Sequence, residues 1–155
     1  MRQLKNTKRG VSLLELLVVV TLLGIFSSVA AMRFGPTIFG NVGSNTDARR
    51  VSLTLLQAQR SAIRSGDNHF VQFTTRGGGE VVSYQLMRRD GSSVVTAGAQ
   101  IELSRNVIGT VSHSVMEFTF EGEALAAYSI KLTGSARDWR LSVVPVNGTI
   151  RTWEE

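Results

Sequence analysis

From Val11 to Met32 the chain runs for 22 residues with a single charge, Glu15. At about 1.5 Å per residue a helix of that length reaches roughly 33 Å, enough to cross a bilayer. A carboxylate at mid-membrane costs about 2.5–3.5 kcal/mol by insertion measurements, and less near the edge. An acid in such a place therefore reads as functional, with a positive partner to be named. The matching partner is a positive group near the end of a neighbouring, similar helix. Cutting after Gly10 would create one, the α-amino group of Val11. Ahead of the run stand Arg2, Lys5, Lys8 and Arg9 and no acid. Lys and Arg beside a first membrane helix hold that end in the cytoplasm. The chain after Met32 is then expected outside, in the periplasm of a Gram-negative cell.

A leader ending Lys8-Arg9-Gly10, followed by Val11-Ser12-Leu13-Leu14-Glu15 and an unbroken apolar run, resembles the class III signal of type IV pilins and of the pseudopilins of type II secretion. The resemblance implies that a prepilin peptidase cuts after Gly10 and N-methylates Val11, and that Glu15 is the assembly carboxylate. Two departures stand out. The family usually has phenylalanine where this chain has Val11, and often a proline near the end of the membrane segment, where this chain has Met32. The rival reading is an uncleaved signal anchor whose glutamate snorkels to the interface. A secretory signal peptide fits worse, since its apolar core runs about 7–15 residues before a small-residue cleavage site.

Beyond the membrane segment the length allows one domain and not two. The formal charge of +5 invites a nucleic-acid partner, but the leader carries four of those charges, and without it there are 13 basic and 12 acidic side chains. A basic pI is thus weak evidence of such a partner. With no cysteine in the chain, no disulfide staples the domain and no thiolate-bound metal is possible.

Residues 33–46 hold three glycines and Pro36. Against Ala these cost a helix about 1 kcal/mol per Gly and about 3 for Pro, so a break or linker is expected there. Asp47 can cap a second helix that runs to about Ser65, with Gly66 as its stop. Val51, Leu55, Ala58 and Ala62 share one stripe of it, flanked by Leu56 and Ile63. Arg49, Arg50, Arg60 and Arg64 fall on the other side with Leu53, as a solvated face. From His69 the pattern turns to strands. Candidates are 70–73 and 81–86 around the glycines 77–79, then 101–103, 116–120 and 128–132. Asn147-Gly148 between 139–144 and 149–153 is a strong hairpin signal. The expected fold is α+β: an N-terminal membrane helix extended toward a globular domain of one amphipathic helix and an antiparallel sheet or sandwich. Its parts are a leader over 1–10, a transmembrane assembly helix over 11–32, a break over 33–46 and a periplasmic domain over 47–155.

The order of helix and strands, with Leu53 to Gly66 followed at once by a strand, is similar to the GspH/FimT branch of the pilins. That branch typically carries an L-x-x-A-R-S-E-A-I-x-R stretch here; this chain has Gln59-Arg60-Ser61-Ala62-Ile63 and lacks the usual glutamate.

His69 and His113 lie far apart with no carboxylate or cysteine at ligand spacing. Gly77-Gly78-Gly79 lacks the Lys-Ser/Thr of a phosphate loop, and Glu121 and Glu123 flank a turn glycine. Neither an enzyme, a cofactor nor a metal site is expected. The reading is mechanical: a minor pseudopilin of a type II secretion pseudopilus, anchored in the inner membrane, with the prepilin peptidase and other pseudopilins as partners. The alternative is a FimT-like minor type IV pilin that binds extracellular DNA through Arg137, Arg140 and Arg151.

Overall fold

The computed structural model describes residues 12–135 and 137–155, the side chains of 34–42 excepted. Gly10 and Val11 lie outside the described residues. The chain divides into two compact units, Met1–Pro36 and Thr37–Glu155.

One helix, α1, occupies Leu13–Ser65 and belongs in part to each unit. The break expected over 33–46 is therefore not an element boundary, and Asp47 is not a cap. The physical reason is cooperativity: interrupting a helix and restarting it requires a second costly nucleus, whereas a proline removes one donor and each glycine adds a modest penalty. The far end comes where the sequence puts it. Gly66 takes φ 78° and donates its N–H to Ala62 at 3.0 Å, a left-handed stop that suits glycine.

In the first unit, Leu13–Arg33 is long and apolar enough to cross a membrane, and none of it is buried against the rest of the chain. Two of its hydroxyls serve the helix itself: Thr21 donates to the Val18 carbonyl at 2.9 Å and Ser28 to that of Gly24 at 2.8 Å. Such back-bonding satisfies a polar side chain where no water is at hand.

The second unit begins at Thr37, ten residues before the expected boundary. Here Ala48, Val51, Leu55, Ala58 and Ala62 bury the stripe that their spacing predicts, while Arg49, Arg50, Arg60 and Arg64 stay exposed. The stripe joins one apolar cluster with Val71, Phe73, Tyr84, Met116, Phe118, Leu132 and Leu141. Ser44 and Asp47 are buried too. The Asp47 carboxylate accepts the Ser104 N–H at 2.8 Å, so it anchors a loop of the sheet rather than starting a helix.

All nine strands pair antiparallel, in the order β6-β1-β2-β5-β7-β8-β9, with β3 and β4 also on β2. β1 (His69–Arg76) and β2 (Glu80–Asp90) form the expected hairpin around the glycines, with a register shift between Thr74 and Thr75. β4 is Ile101–Glu102, β6 Val115–Phe118 and β7 Tyr128–Thr133. Two strands were not expected, β3 (Ser93–Thr96) and β5 (Ile108–Val111). β3 is exposed along its whole length, so burial imposes no alternation on its sequence. β5 carries Gly109, where a Cβ would lie 2.8 Å from Leu103 Cδ1 and 3.1 Å from Val81 Cβ. Close packing there favours a residue that reads as a strand breaker. β8 (Asp138–Val143) and β9 (Ile150–Glu154) form the last hairpin. Its loop is longer than a two-residue Asn-Gly turn: Pro145–Asn147 make one 3₁₀ turn, and Gly148 alone takes positive φ, at 60°.

Candidate functional site

Glu15 stands in the first turn of α1, where the unpaired N–H groups of a helix start favour negative charge. Leu13, Leu14 and Leu16 around it are all exposed, as a lipid-facing or helix-facing surface requires. Among the described residues no ion pair or side-chain hydrogen bond reaches the Glu15 carboxylate. Thr21 and Ser28, by contrast, are satisfied within the helix.

The three arginines of the C-terminal hairpin separate into two kinds. Arg137 pairs with Glu154 at 3.2 Å and Arg140 with Glu155 at 2.8 Å. Lys131 on the neighbouring strand reaches Asp138 at 3.0 Å and Glu155 at 3.3 Å, and these two carboxylates hold its ammonium above the ordinary lysine value. Arg151 is exposed and has no carboxylate partner among the described residues. The fold thus brings the three cations to one hairpin, and brings acids to two of them.

The histidines serve local roles. His69 is buried with Nδ1 3.0 Å from the Asp67 carbonyl, and His113 stands edge-on to Tyr128 with ring centroids 5.3 Å apart. Gly77–Gly79 is the β1–β2 turn, and Gly122 turns at φ 88° with its N–H on the Thr119 carbonyl.

Two polar devices escaped the sequence reading. Glu117 on β6 is buried, and Arg89 grips both its oxygens, Nε to Oε1 at 2.7 Å and Nη2 to Oε2 at 2.8 Å. Asn68 adds a hydrogen bond at 3.0 Å, and the Arg89 guanidinium lies 5.4 Å from the centre of the Phe70 ring. The hydrogen bonds from Arg89 hold the Glu117 carboxyl below the usual range against the opposing effect of burial, and Asn68 assists. The second device is Gln59 on α1, whose amide nitrogen donates to the carbonyls of Gly122 at 2.8 Å and Asn147 at 3.1 Å. It ties the helix to two turns that are far apart in sequence. A charged residue inside an alternating apolar strand was the only signal of the first; the second left none.

Residues 5–31 match the family model described as the prokaryotic N-terminal methylation motif. No curated protein matches the chain significantly. Among solved structures, the fold is similar to the minor pseudopilin EpsH from the type 2 secretion system of Vibrio cholerae, with TM-score 0.60 at 14% identity, over 72% of this chain and 96% of that one. It is also similar to the type IV minor pilin FimU of Pseudomonas aeruginosa, with TM-score 0.57 at 12% identity, over 70% of this chain and 91% of that one. The chain thus carries a prokaryotic N-terminal methylation motif over residues 5–31, and the fold is similar to that of these two minor subunits.

Proposed function

We propose that the chain is a minor pseudopilin of a type II secretion pseudopilus, an assembly subunit rather than an enzyme. In this reading the prepilin peptidase removes residues 1–10 and methylates the α-amino group of Val11, and residues 11–32 anchor the subunit in the inner membrane with the second compact unit, Thr37–Glu155, in the periplasm. The Glu15 carboxylate neutralises the N-terminus of an adjacent subunit. The observation that carries this is the position of Glu15, the one carboxylate in the first turn of a membrane-length apolar helix, with no partner among the described residues. Helices in lipid gain nothing from burying apolar surface, so packing and polar pairing must hold them together. Two measurements test it. Mass spectrometry of the membrane form should find a chain beginning at methylated Val11; an intact leader in cells with active peptidase refutes the reading. Glu15→Ala should insert and fold normally, yet crosslink to neighbouring subunits far less; unchanged crosslinking and secretion make Glu15 a passenger.

The likeness to FimU supports a second reading, a minor subunit of a type IV pilus. The role of Gly10, Val11 and Glu15 is the same in both. A FimT-like DNA receptor is less well supported, because Arg137 and Arg140 already face Glu154 and Glu155.

A further inference from the structure

We propose that the free edge of β9, with the groove beside it, takes an extended segment of a neighbouring pilin-type subunit. The segment would set an apolar side chain into the groove with a carboxylate immediately next to it in sequence. The proposal rests on the assembly reading above and adds a second, globular contact to the one through the helices.

The argument starts from the β8–β9 ladder. Val144 donates to Thr149 at 3.0 Å and Glu155 to Asp138 at 2.9 Å. Antiparallel pairs alternate between bonded and non-bonded, so Arg140 with Trp153 and Ser142 with Arg151 are the bonded pairs in between. Ile150, Thr152 and Glu154 therefore turn their N–H and C=O groups away from β8, toward an edge on which no strand pairs among the described residues. These three residues oppose Val143, Leu141 and Trp139, and Leu141 and Val143 are buried in the core. The residue with outward backbone groups at the centre of the edge, Thr152, thus has its side chain on the core side of the sheet.

There it lines a groove of about 390 Å³, together with Trp139 and with Arg49, Ser52 and Leu53 of α1. Leu53, which lines this groove with Trp139, is 64% exposed. A strand added to β9 pairs with the backbone of Thr152 and drops its own opposing side chain into that groove, because partners in an antiparallel or parallel pair share a face. The next residue along points to the other face, beside Arg151.

Charge selects the occupant. Arg137, Arg140 and Lys131 have carboxylate partners, whereas Arg151 on the edge and Arg49 on the groove wall have none among the described residues. An incoming segment with an apolar residue flanked by an acid matches both features. For an antiparallel pairing of β9 with β9 of a second copy, the register centred on Thr152 sets Thr152 opposite Thr152, and the register that brings Ile150 opposite Thr152 sets Arg151 opposite Arg151, a destabilising like-charge pair.

The chain has no cysteine, so Ser52→Cys provides a single thiol on the groove wall. A benzophenone maleimide attached there in the full-length chain, in membranes of its own host, is irradiated and the adduct mapped by mass spectrometry. The expected adduct lies in another subunit bearing a prepilin signal, at an extended stretch where Asp or Glu adjoins an apolar residue. Its yield should fall at least fivefold with Thr152→Pro, which removes an outward N–H while leaving the β8 ladder intact, and with Arg151→Glu on the exposed face. Both variants must keep the parent thermal midpoint. Adducts with a second copy of this chain, adducts lacking the acid–apolar pair, or yields unchanged in both variants overturn the proposal. A label at Leu22→Cys separates the two claims. Capture from Leu22 with none from Ser52 overturns the groove alone, and capture from neither overturns the assembly reading with it.

Discussion

Glu117 keeps its charge in a buried position because two guanidinium nitrogens and an amide face it. Removing one partner of such a pair costs more than the pair itself contributes, since the other charge is left desolvated. Arg89 is half exposed, so the loss is moderated by solvent. Arg89→Ala should destabilise the domain by about 1–3 kcal/mol, read as a lower midpoint in urea. The sign of the pH effect follows from the lowered carboxyl pKa. The unfolded chain binds the proton more readily, so the contribution is complete above the ordinary glutamate value of about 4.3 and is lost as pH falls through the lower folded value. The thermal midpoint of Glu117→Gln should therefore change less between pH 6 and pH 3 than that of the parent; an equal change would assign the acid sensitivity elsewhere. Much of this was hidden from the sequence. Met116-Glu117-Phe118 reads as alternation with the glutamate in solvent, and only the pairing of β1 with β2 and β6 brings Arg89 and Asn68 over it. The N-terminal methylation motif over residues 5–31, by contrast, is local in sequence and needs no tertiary contact to be read.

Helix α1 and the two turns that Gln59 holds form the joint of the domain. Leu55 is fully buried on the stripe, and Leu55→Ala should cost about 2–5 kcal/mol, the usual range for a core leucine. Gln59→Glu replaces a donor with an acceptor facing two carbonyls and should lower the thermal midpoint more than Gln59→Ala. Equal effects would mean that the hydrogen bonds contribute little. Gly148 sits at this joint with φ 60°, and a Cβ there would meet the Gly122 carbonyl and the Gln59 amide. Gly148→Ala should therefore lose more than the strain of a left-handed alanine alone. The sequence revealed the helix stripe, its stop at Gly66 and the strands β1, β2, β4, β6, β7, β8 and β9, leaving out β3 and β5. Over residues 33–46 the three glycines and Pro36 disfavour helix locally, yet one helix continues through them, because ending it and starting another costs a second nucleus. β5 was hidden because the reason for Gly109 is a neighbour from another strand.

Because the second compact unit starts at Thr37, residues 37–155 should fold alone with a cooperative transition and a spectrum dominated by β-structure. A fragment starting at 46 loses Ser44, which is fully buried, and should be less stable. With the longer fragment the two functional readings can be separated by DNA binding. Non-specific affinity comes from phosphate neutralisation, and its logarithm falls with log salt at about −0.9 per phosphate on duplex DNA. On the C-terminal hairpin, Arg137 and Arg140 face Glu154 and Glu155, which leaves Arg151 without a competing acid. Binding through Arg137 or Arg140 must first displace a carboxylate at about 3 Å, so the parent fragment should bind no tighter than about 10⁻⁴–10⁻⁶ M at physiological salt, with a shallow slope. Replacing Glu154 and Glu155 with glutamine should tighten binding and steepen the slope by up to about two further phosphates, as the arginines are released. Titrations at two salt concentrations, with Arg137, Arg140 and Arg151 each changed to alanine, decide the matter. Submicromolar binding by the parent, with a steep slope lost in the alanine variants, would make this chain a DNA-capturing pilin; weak binding that strengthens only when the acids are removed leaves the hairpin's charges to the fold and to neighbouring subunits.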